Sequence, residues 1–159
     1  MLRLIGASLL TLFGIALARY LAERERRRVT VAEAYLDFLR YIRGELHAFA
    51  RPLGEVYRRA ENPVLEENGF LPALRAGETP GDAARRTSPP TDPALVKMLS
   101  DFGGAVGRGY LAETLACCDV YIERIDAYAK SVREAAPTRI RVRRTVALAG
   151  TALILLLLL

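Results

Sequence analysis

Apolar and polar residues are distributed unevenly along this 159-residue chain. Two runs of fifteen residues carry no charge, Leu4 to Ala18 and Thr145 to Leu159, and each borders a group of arginines. Between these runs, apolar positions recur every three or four residues, which is the period of an amphipathic helix. No stretch alternates for long with the two-residue period of a half-buried strand. The pattern therefore predicts an all-α protein.

The central segment, residues 29–138, predicts a bundle of about four to six helices. The spacing from Thr30 to Glu33 is typical of a capping box at a helix start. The apolar face of this first helix is Val31, Tyr35, Phe38, Ile42, Leu46 and Phe49. Further helix starts are predicted where a capping residue precedes proline, at Asn62-Pro63, Thr79-Pro80 and Asp92-Pro93. The run TSPPTDP, residues 87–93, predicts a loop.

The longest periodic stripe begins near Tyr110 and predicts a helix of about 40 Å. Its members are Leu111, Leu115, Cys118, Ile122, Ile125, Ala129, Val132 and Ala136. The carboxylates of this helix are predicted to line a solvated face, with partner docking as the alternative; they are Glu113, Asp119, Glu123 and Asp126.

Residues 1–22 and 139–159 are predicted to be transmembrane helices that flank the bundle. Each charge-free run is about 22 Å long as a helix, which is short of the roughly 30 Å hydrocarbon core. Flanking arginines such as Arg3 and Arg19 can compensate by snorkelling to the interface. A cleaved signal peptide is the alternative for the first run, but the arginines after it disfavour export.

The position of the arginines predicts the topology and the lipid contacts. Positive charge next to a membrane segment stays cytoplasmic, so residues 19–144 are predicted inside and both termini outside. The net charge is +5, but between Val29 and Thr138 thirteen Lys and Arg face sixteen Asp and Glu, a difference of −3. This partition argues against nucleic acid as a partner. The arginines predicted to contact anionic headgroups are Arg24, Arg26, Arg27, Arg28, Arg139, Arg141, Arg143 and Arg144.

No residue pattern predicts catalysis, a cofactor, a metal or a small-molecule substrate. His47 is the only histidine, and the glycine-rich segments lack the lysine and spacing of a P-loop. The adjacent Cys117 and Cys118 are predicted to be reduced structural thiols. We therefore expect a non-enzymatic protein whose function depends on what it binds.

Several segments, in order and spacing, resemble the stage III sporulation protein AB family. They are LRLIGASLL, ARYLAERERRR, RPLGEVYRRA, FGGAVGRGYLAETLACCDVYIERI and TRIRVRRTVALAGTALILLLLL. The resemblance covers nearly the whole chain and fades between about Glu66 and Pro93. The resemblance implies a scaffold component of the channel complex between mother cell and forespore. Its cytoplasmic domain is similar to that of the F-type inner-membrane platform proteins of type II secretion.

This resemblance also implies partners and a location. A cytosolic secretion-type ATPase and other membrane subunits of the complex are expected partners, at the bacterial cell membrane on the mother-cell side. We hypothesise that the partner contacts the corner near Gly107, Arg108, Gly109, Tyr110 and Glu113. Two rival interpretations remain open. One is a generic membrane-anchored adaptor that homodimerises through the heptad stripe, and the other is an exported enzyme with a cleaved N-terminus.

Overall fold

The helical content of the chain agrees with the sequence pattern. The computed structural model describes the backbone of residues 2–106 and 110–158 and the side chains of residues 12–106 and 110–154. These residues form helices and no strand, so the all-α class is confirmed. The helices described are α1 (Leu2–Phe49), α2 (Leu53–Arg59), α3 (Pro63–Glu67), α4 (Phe70–Arg75), α5 (Pro80–Arg85), α6 (Pro93–Ala105) and α7 (Leu111–Leu158).

The chain divides into two compact units. Unit 1 consists of Met1–Val29 and Ser131–Leu159, and unit 2 is Thr30–Lys130. Unit 1 therefore contains the first part of α1 and the last part of α7. Unit 2 contains the remainder of both helices together with α2 to α6. The boundaries expected near residues 29 and 138 consequently fall inside long helices rather than at helix ends.

The predicted helix start at Thr30 is wrong, because α1 continues through this residue. The preceding residues, from Ile15 to Val29, include neither glycine nor proline and are rich in Ala, Leu, Arg and Glu. These residues have high helix propensity, so the helix that forms before Thr30 has no reason to end there. A capping-box spacing is thus not sufficient to start a helix where the upstream residues are already helical.

Unit 2 has a core built on the face of α1 that the spacing predicts. Tyr35, Phe38, Ile42 and Leu46 are buried. The Phe70 ring packs edge-on against Tyr35 and Phe38, with ring centroids 4.8 Å and 5.3 Å apart. Such T-shaped pairs stabilise a core beyond the area that they bury.

Phe49, the last predicted member of this face, is instead 59% exposed. It is the final residue of α1, where the helix has passed the core. The Arg51 guanidinium carbon lies 4.3 Å from the centre of its ring, which partly replaces the missing apolar contacts.

The three predicted proline-preceded helix starts are confirmed. The side-chain oxygen of Asn62 accepts hydrogen bonds from the Val64 and Leu65 amides, both at 3.1 Å. The side chains of Thr79 and Asp92 cap α5 and α6 in the same way. Each cap satisfies amides that the first helical turn leaves without a backbone acceptor. The predicted loop lies between α5 and α6.

The α7 stripe is confirmed except at its first residue. Cys118, Ile125, Ala129, Val132 and Ala136 are buried. Leu115 and Ile122 are half-buried. Leu111 is exposed because it opens the first turn of α7, and the buried face begins at Thr114. The helix then continues through Pro137, well beyond the stripe.

A close crossing of α5 and α6 gives the first test of this fold. A Cβ on Gly81 would lie 2.8 Å from the Ser100 Cα, whereas a Cβ on Gly104 would have no neighbour within 4 Å. We expect Gly81→Ala to lower the free energy of unfolding by about 1–3 kcal/mol, since the helices must separate. Gly104→Ala should be neutral or stabilising by up to about 1 kcal/mol. Chemical denaturation followed by circular dichroism measures both, and equal effects would contradict the crossing.

Candidate membrane and partner interfaces

Small residues lie between the two antiparallel helix segments of unit 1. Gly14 lies against Thr151, and Glu25 against Arg143, so residue numbers rise along α1 as they fall along α7. A Cβ on Gly14 would be 3.1 Å from the Thr151 Cβ and 2.4 Å from its Oγ1. Ala18 is also buried in this unit. We refer to Gly14, Ala18, Ala147 and Thr151 as the small-residue seam, although Ala147 and Thr151 are only half-buried.

Large apolar side chains of unit 1 point away from this seam. Phe13, next to Gly14, is 66% exposed, and Leu153, two residues after Thr151, is 63% exposed. Among the side chains described for this unit, the other exposed large apolar residues are Leu12, Ile15, Leu17, Tyr20, Val142, Val146, Leu148 and Ile154. A soluble helix pair has the reverse arrangement, with its large apolar residues inside.

None of the helices, over the residues described, combines the length and the apolar character that a membrane crossing requires. The predicted transmembrane helices at 1–22 and 139–159 are therefore not supported by these residues. The side chains of residues 1–11 and 155–159, which make up much of both predicted spans, lie outside the described part of the chain.

A buried carboxylate joins the two helices of unit 1. Glu25 is 1% exposed, and its Oε1 lies 2.6 Å from Arg143 Nη1 on α7 and 3.7 Å from Arg28 Nη1 on α1. A carboxylate without water needs such partners, because an unpaired buried charge is costly. Sequence reasoning missed this pair, since Glu25 is one of several charges in the run ERERRR and no local signal marks it as buried.

The eight arginines predicted to contact lipid occupy two kinds of position. Arg24, Arg139, Arg141 and Arg144 are exposed. Arg26 and Arg27 are exposed as well, but they also interact with other groups of the chain. Arg28 and Arg143 differ from all of these, because each is half-buried beside Glu25. The structure therefore separates arginines that are available to an external anion from arginines that pair within the unit.

The predicted partner corner is described only in part. Gly107, Arg108 and Gly109 lie outside the described residues. Tyr110 is 83% exposed, which leaves its ring available for contact. Glu113 accepts a hydrogen bond from the Tyr110 amide at 3.3 Å, the backward contact of a helix cap. Tyr110 is thus a surface aromatic residue at the start of α7, whereas Glu113 holds that start in place.

Two of the four carboxylates predicted to line a solvated face also pair with α1. Arg43 donates to Asp119 at 2.9 Å, and Arg40 lies 3.5 Å from Asp126, which also contacts Lys130 at 2.6 Å. The other two, Glu113 and Glu123, are exposed. The prediction was incomplete because the helix pattern gives the polar side of α7 but not the arginines that α1 places opposite it.

Unit 2 contains a buried hydroxyl network that the sequence pattern does not indicate. The Tyr35 and Thr91 hydroxyls are 3.1 Å apart, and the Thr91 and Thr87 hydroxyls are 2.9 Å apart. Thr87 donates to the Ala84 carbonyl at 3.0 Å. Burial raises the pKa of Tyr35 to about 12, so its hydroxyl stays protonated and able to donate. The network ties the α5–α6 loop to α1, and it has no free nucleophile or base.

An open groove of about 560 Å³ lies beside α6, and it contains no catalytic arrangement. Its charged groups are Arg85, Lys97 and Asp101. Arg85 already contacts Asp82 at 2.6 Å. The described residues contain no group of His, Cys, Asp or Glu able to hold a metal ion. The groove therefore gives no basis for assigning a reaction.

Comparison with family models, with curated proteins and with solved structures gives no match to this chain. The resemblance to the stage III sporulation protein AB family is neither supported nor refuted by these comparisons, and it stays a prediction.

Both cysteines are reduced and lie in or beside the core of unit 2. Cys118 is fully buried and Cys117 is half-buried. Burial raises the pKa of the Cys118 thiol to about 11, and it raises the pKa of the Cys117 thiol as well. Because the thiolate is the reactive form, a raised pKa keeps both groups unreactive at neutral pH.

We expect iodoacetamide at pH 8 to modify Cys118 at least about 100-fold more slowly in the native chain than in urea, where the pKa returns to about 8.5. Peptide mass mapping after timed quenching measures each cysteine separately. Cys117 should react faster than Cys118 in the native chain. Equal native and unfolded rates at Cys118 would contradict its burial.

Proposed function

We propose that this chain is a non-enzymatic membrane platform, in which unit 1 is the anchor and unit 2 is presented to protein partners. One observation carries the proposal: in the described parts of the two charge-free runs, the buried and half-buried residues are small and the large apolar residues are exposed. Exposed apolar surface of this extent is unusual on a soluble protein and marks a site that something else covers. A hydrocarbon environment fits best, because transmembrane helix pairs pack through small residues and turn large ones towards lipid.

The register of the two helices supports the same proposal. Gly14 is the eleventh residue of the first charge-free run, and Thr151 is the seventh residue of the second. Because the helices are antiparallel and these residues touch, the two runs lie side by side rather than end to end. Each run is about 22 Å long, so a bilayer crossing needs local thinning or snorkelling of the flanking arginines.

The proposed orientation places the segment between Arg19 and Arg144 in the cytoplasm. Both charge-free runs carry their arginines on the side that leads to this segment. Cytoplasmic retention of such residues is the strongest known determinant of membrane orientation. In the context that the resemblance implies, this is the mother-cell side of the sporulating cell.

Partner identity rests on the resemblance alone. We propose a cytosolic secretion-type ATPase and other membrane subunits of one complex as the partners of unit 2. The rival adaptor that dimerises through the heptad stripe is disfavoured, because Cys118, Ile125 and Ala129 are already buried in the core of unit 2. A dimer through this stripe would first have to open that core.

The anchor is tested by placing a charge on the outward apolar surface. Phe13→Lys and Leu153→Lys should each remove most of the chain from the carbonate-resistant membrane fraction, since a lysine inside a bilayer costs about 2.5–3.5 kcal/mol. The measurement is the distribution of full-length chain between pellet and supernatant. Val120→Lys, at a 46% exposed position of unit 2, is the matched control and should leave the distribution unchanged. Unchanged membrane retention in both anchor variants would exclude the proposed anchor.

The partner corner is tested separately, by binding of the full-length chain in detergent to the ATPase. Exposed aromatic side chains often dominate protein interfaces, so Tyr110→Ala should weaken binding about ten-fold. Arg108→Glu should weaken it by a similar factor. Val120→Ala on the same helix should have no effect. Binding as tight as wild type in both corner variants would place the interface elsewhere.

A further inference from the structure

The charge of the chain is concentrated in unit 1. This unit contains eleven Arg and three Glu in sequence, a difference of +8. Unit 2 contains twelve Lys and Arg and fifteen Asp and Glu, a difference of −3. Many of the arginines in unit 2 pair within the unit, as Arg40, Arg43 and Arg75 do. Unit 1 has too few carboxylates to do the same.

The exposed arginines of unit 1 lie between about 8 Å (Arg19) and about 18 Å (Arg139) from the contact of Gly14 with Thr151, measured along the helices. Measured from the contact of Gly14 with Thr151, Arg24 and Arg141 are each ten residues away, which is about 15 Å along a helix. Arg19 and Arg144 are five and seven residues away, about 8 Å and 10 Å. Because both helices run from the same contact towards their charged ends, these arginines form a belt next to the charge-free runs.

We infer that Arg19, Arg24, Arg139, Arg141 and Arg144 form an arginine belt that binds the phosphate groups of anionic lipids. The inference rests on the proposed membrane function and specifies the lipid class. All five side chains are exposed, and within the described residues none is recorded in an ion pair. Guanidinium groups bind phosphate through two parallel hydrogen bonds, and the headgroup layer is where an anchor of this kind would place them.

Arg28 and Arg143 are excluded from the belt because they are positioning residues. Both face the buried carboxylate of Glu25, and Arg143 does so across the helix pair at 2.6 Å. The consequence is a sharp difference between two neighbours in sequence. Arg144 binds lipid, whereas Arg143 holds α7 against α1.

The experiment compares transfer of the full-length chain from detergent into two kinds of vesicle. One contains phosphatidylcholine alone, and the other contains phosphatidylcholine mixed with phosphatidylglycerol. We expect wild type to enter the anionic vesicles preferentially. Arg141→Gln and Arg144→Gln should each lower this preference about five-fold, the effect of about 1 kcal/mol per basic residue at a charged surface, with entry into neutral vesicles unchanged.

The matched control keeps the belt and removes the buried pair. Glu25→Gln combined with Arg143→Gln leaves the net charge unchanged and should retain the wild-type lipid preference. Arg143→Gln alone removes the same charge as Arg144→Gln but should lower the preference less than two-fold. Circular dichroism measures whether Arg143→Gln alone stays helical. If it does not, the lipid preference of the double variant decides whether Arg143 belongs to the belt. A five-fold loss in the double variant would overturn the division of roles.

The remaining outcomes separate this inference from the proposed function. Equal entry of wild type into both vesicles would overturn the arginine belt and leave the membrane anchor standing. Failure to enter either vesicle would overturn the proposed anchor itself. If inorganic phosphate, at an ionic strength matched with sodium chloride, abolishes the preference, the arginines form a site for free phosphate and the lipid assignment is wrong.

Discussion

Antiparallel pairing of α1 with α7 is the contact on which each unit depends, and ion pairs cross it in both units. In unit 2, Arg40 faces Asp126 and Arg43 faces Asp119. Sliding α7 by one turn in one direction would bring Arg40 to Lys130, a repulsive contact, but would also bring Arg43 to Glu123, an attractive one. Sliding it the other way would bring Arg43 to Leu115, whose side chain cannot accept a hydrogen bond. Exposed ion pairs contribute little stability, so they favour the observed register only weakly.

The two units use opposite packing rules along these helices. In unit 2 the core is made by large side chains, as where Phe70 of α4 packs on Tyr35 and Phe38 of α1. This arrangement is favourable in water, because packing the large side chains together removes apolar surface from solvent. In unit 1 the contact is made by residues as small as Gly14 and Ala18, and large side chains remain outside. Small residues let the two backbones approach closely, and the resulting van der Waals contacts hold helices together where the surroundings are themselves apolar.

Local features of this fold follow from sequence, and contacts between distant segments do not. The helix starts at Asn62, Thr79 and Asp92 could be predicted because each cap bonds to its own first turn. The buried face of α7 follows from its period. The capping box at Thr30 failed because the upstream residues were already helical, and local spacing contains no information about that competition. The pairing of Glu25 with Arg143 could not be predicted, since many registers offer an arginine to this carboxylate.

The surplus of arginine in unit 1 restricts the surroundings in which the unit can be placed, as its packing does. Three carboxylates cannot neutralise eleven arginines, so the unit must obtain anions from its surroundings. One carboxylate, Glu25, is already committed to two arginines. Like charges on neighbouring helices are only partly screened by salt when their separation is within its screening length, which is about 8 Å under physiological conditions. A surface of fixed phosphates relieves this repulsion, because it holds anions near the depth at which the antiparallel register places Arg24 level with Arg141.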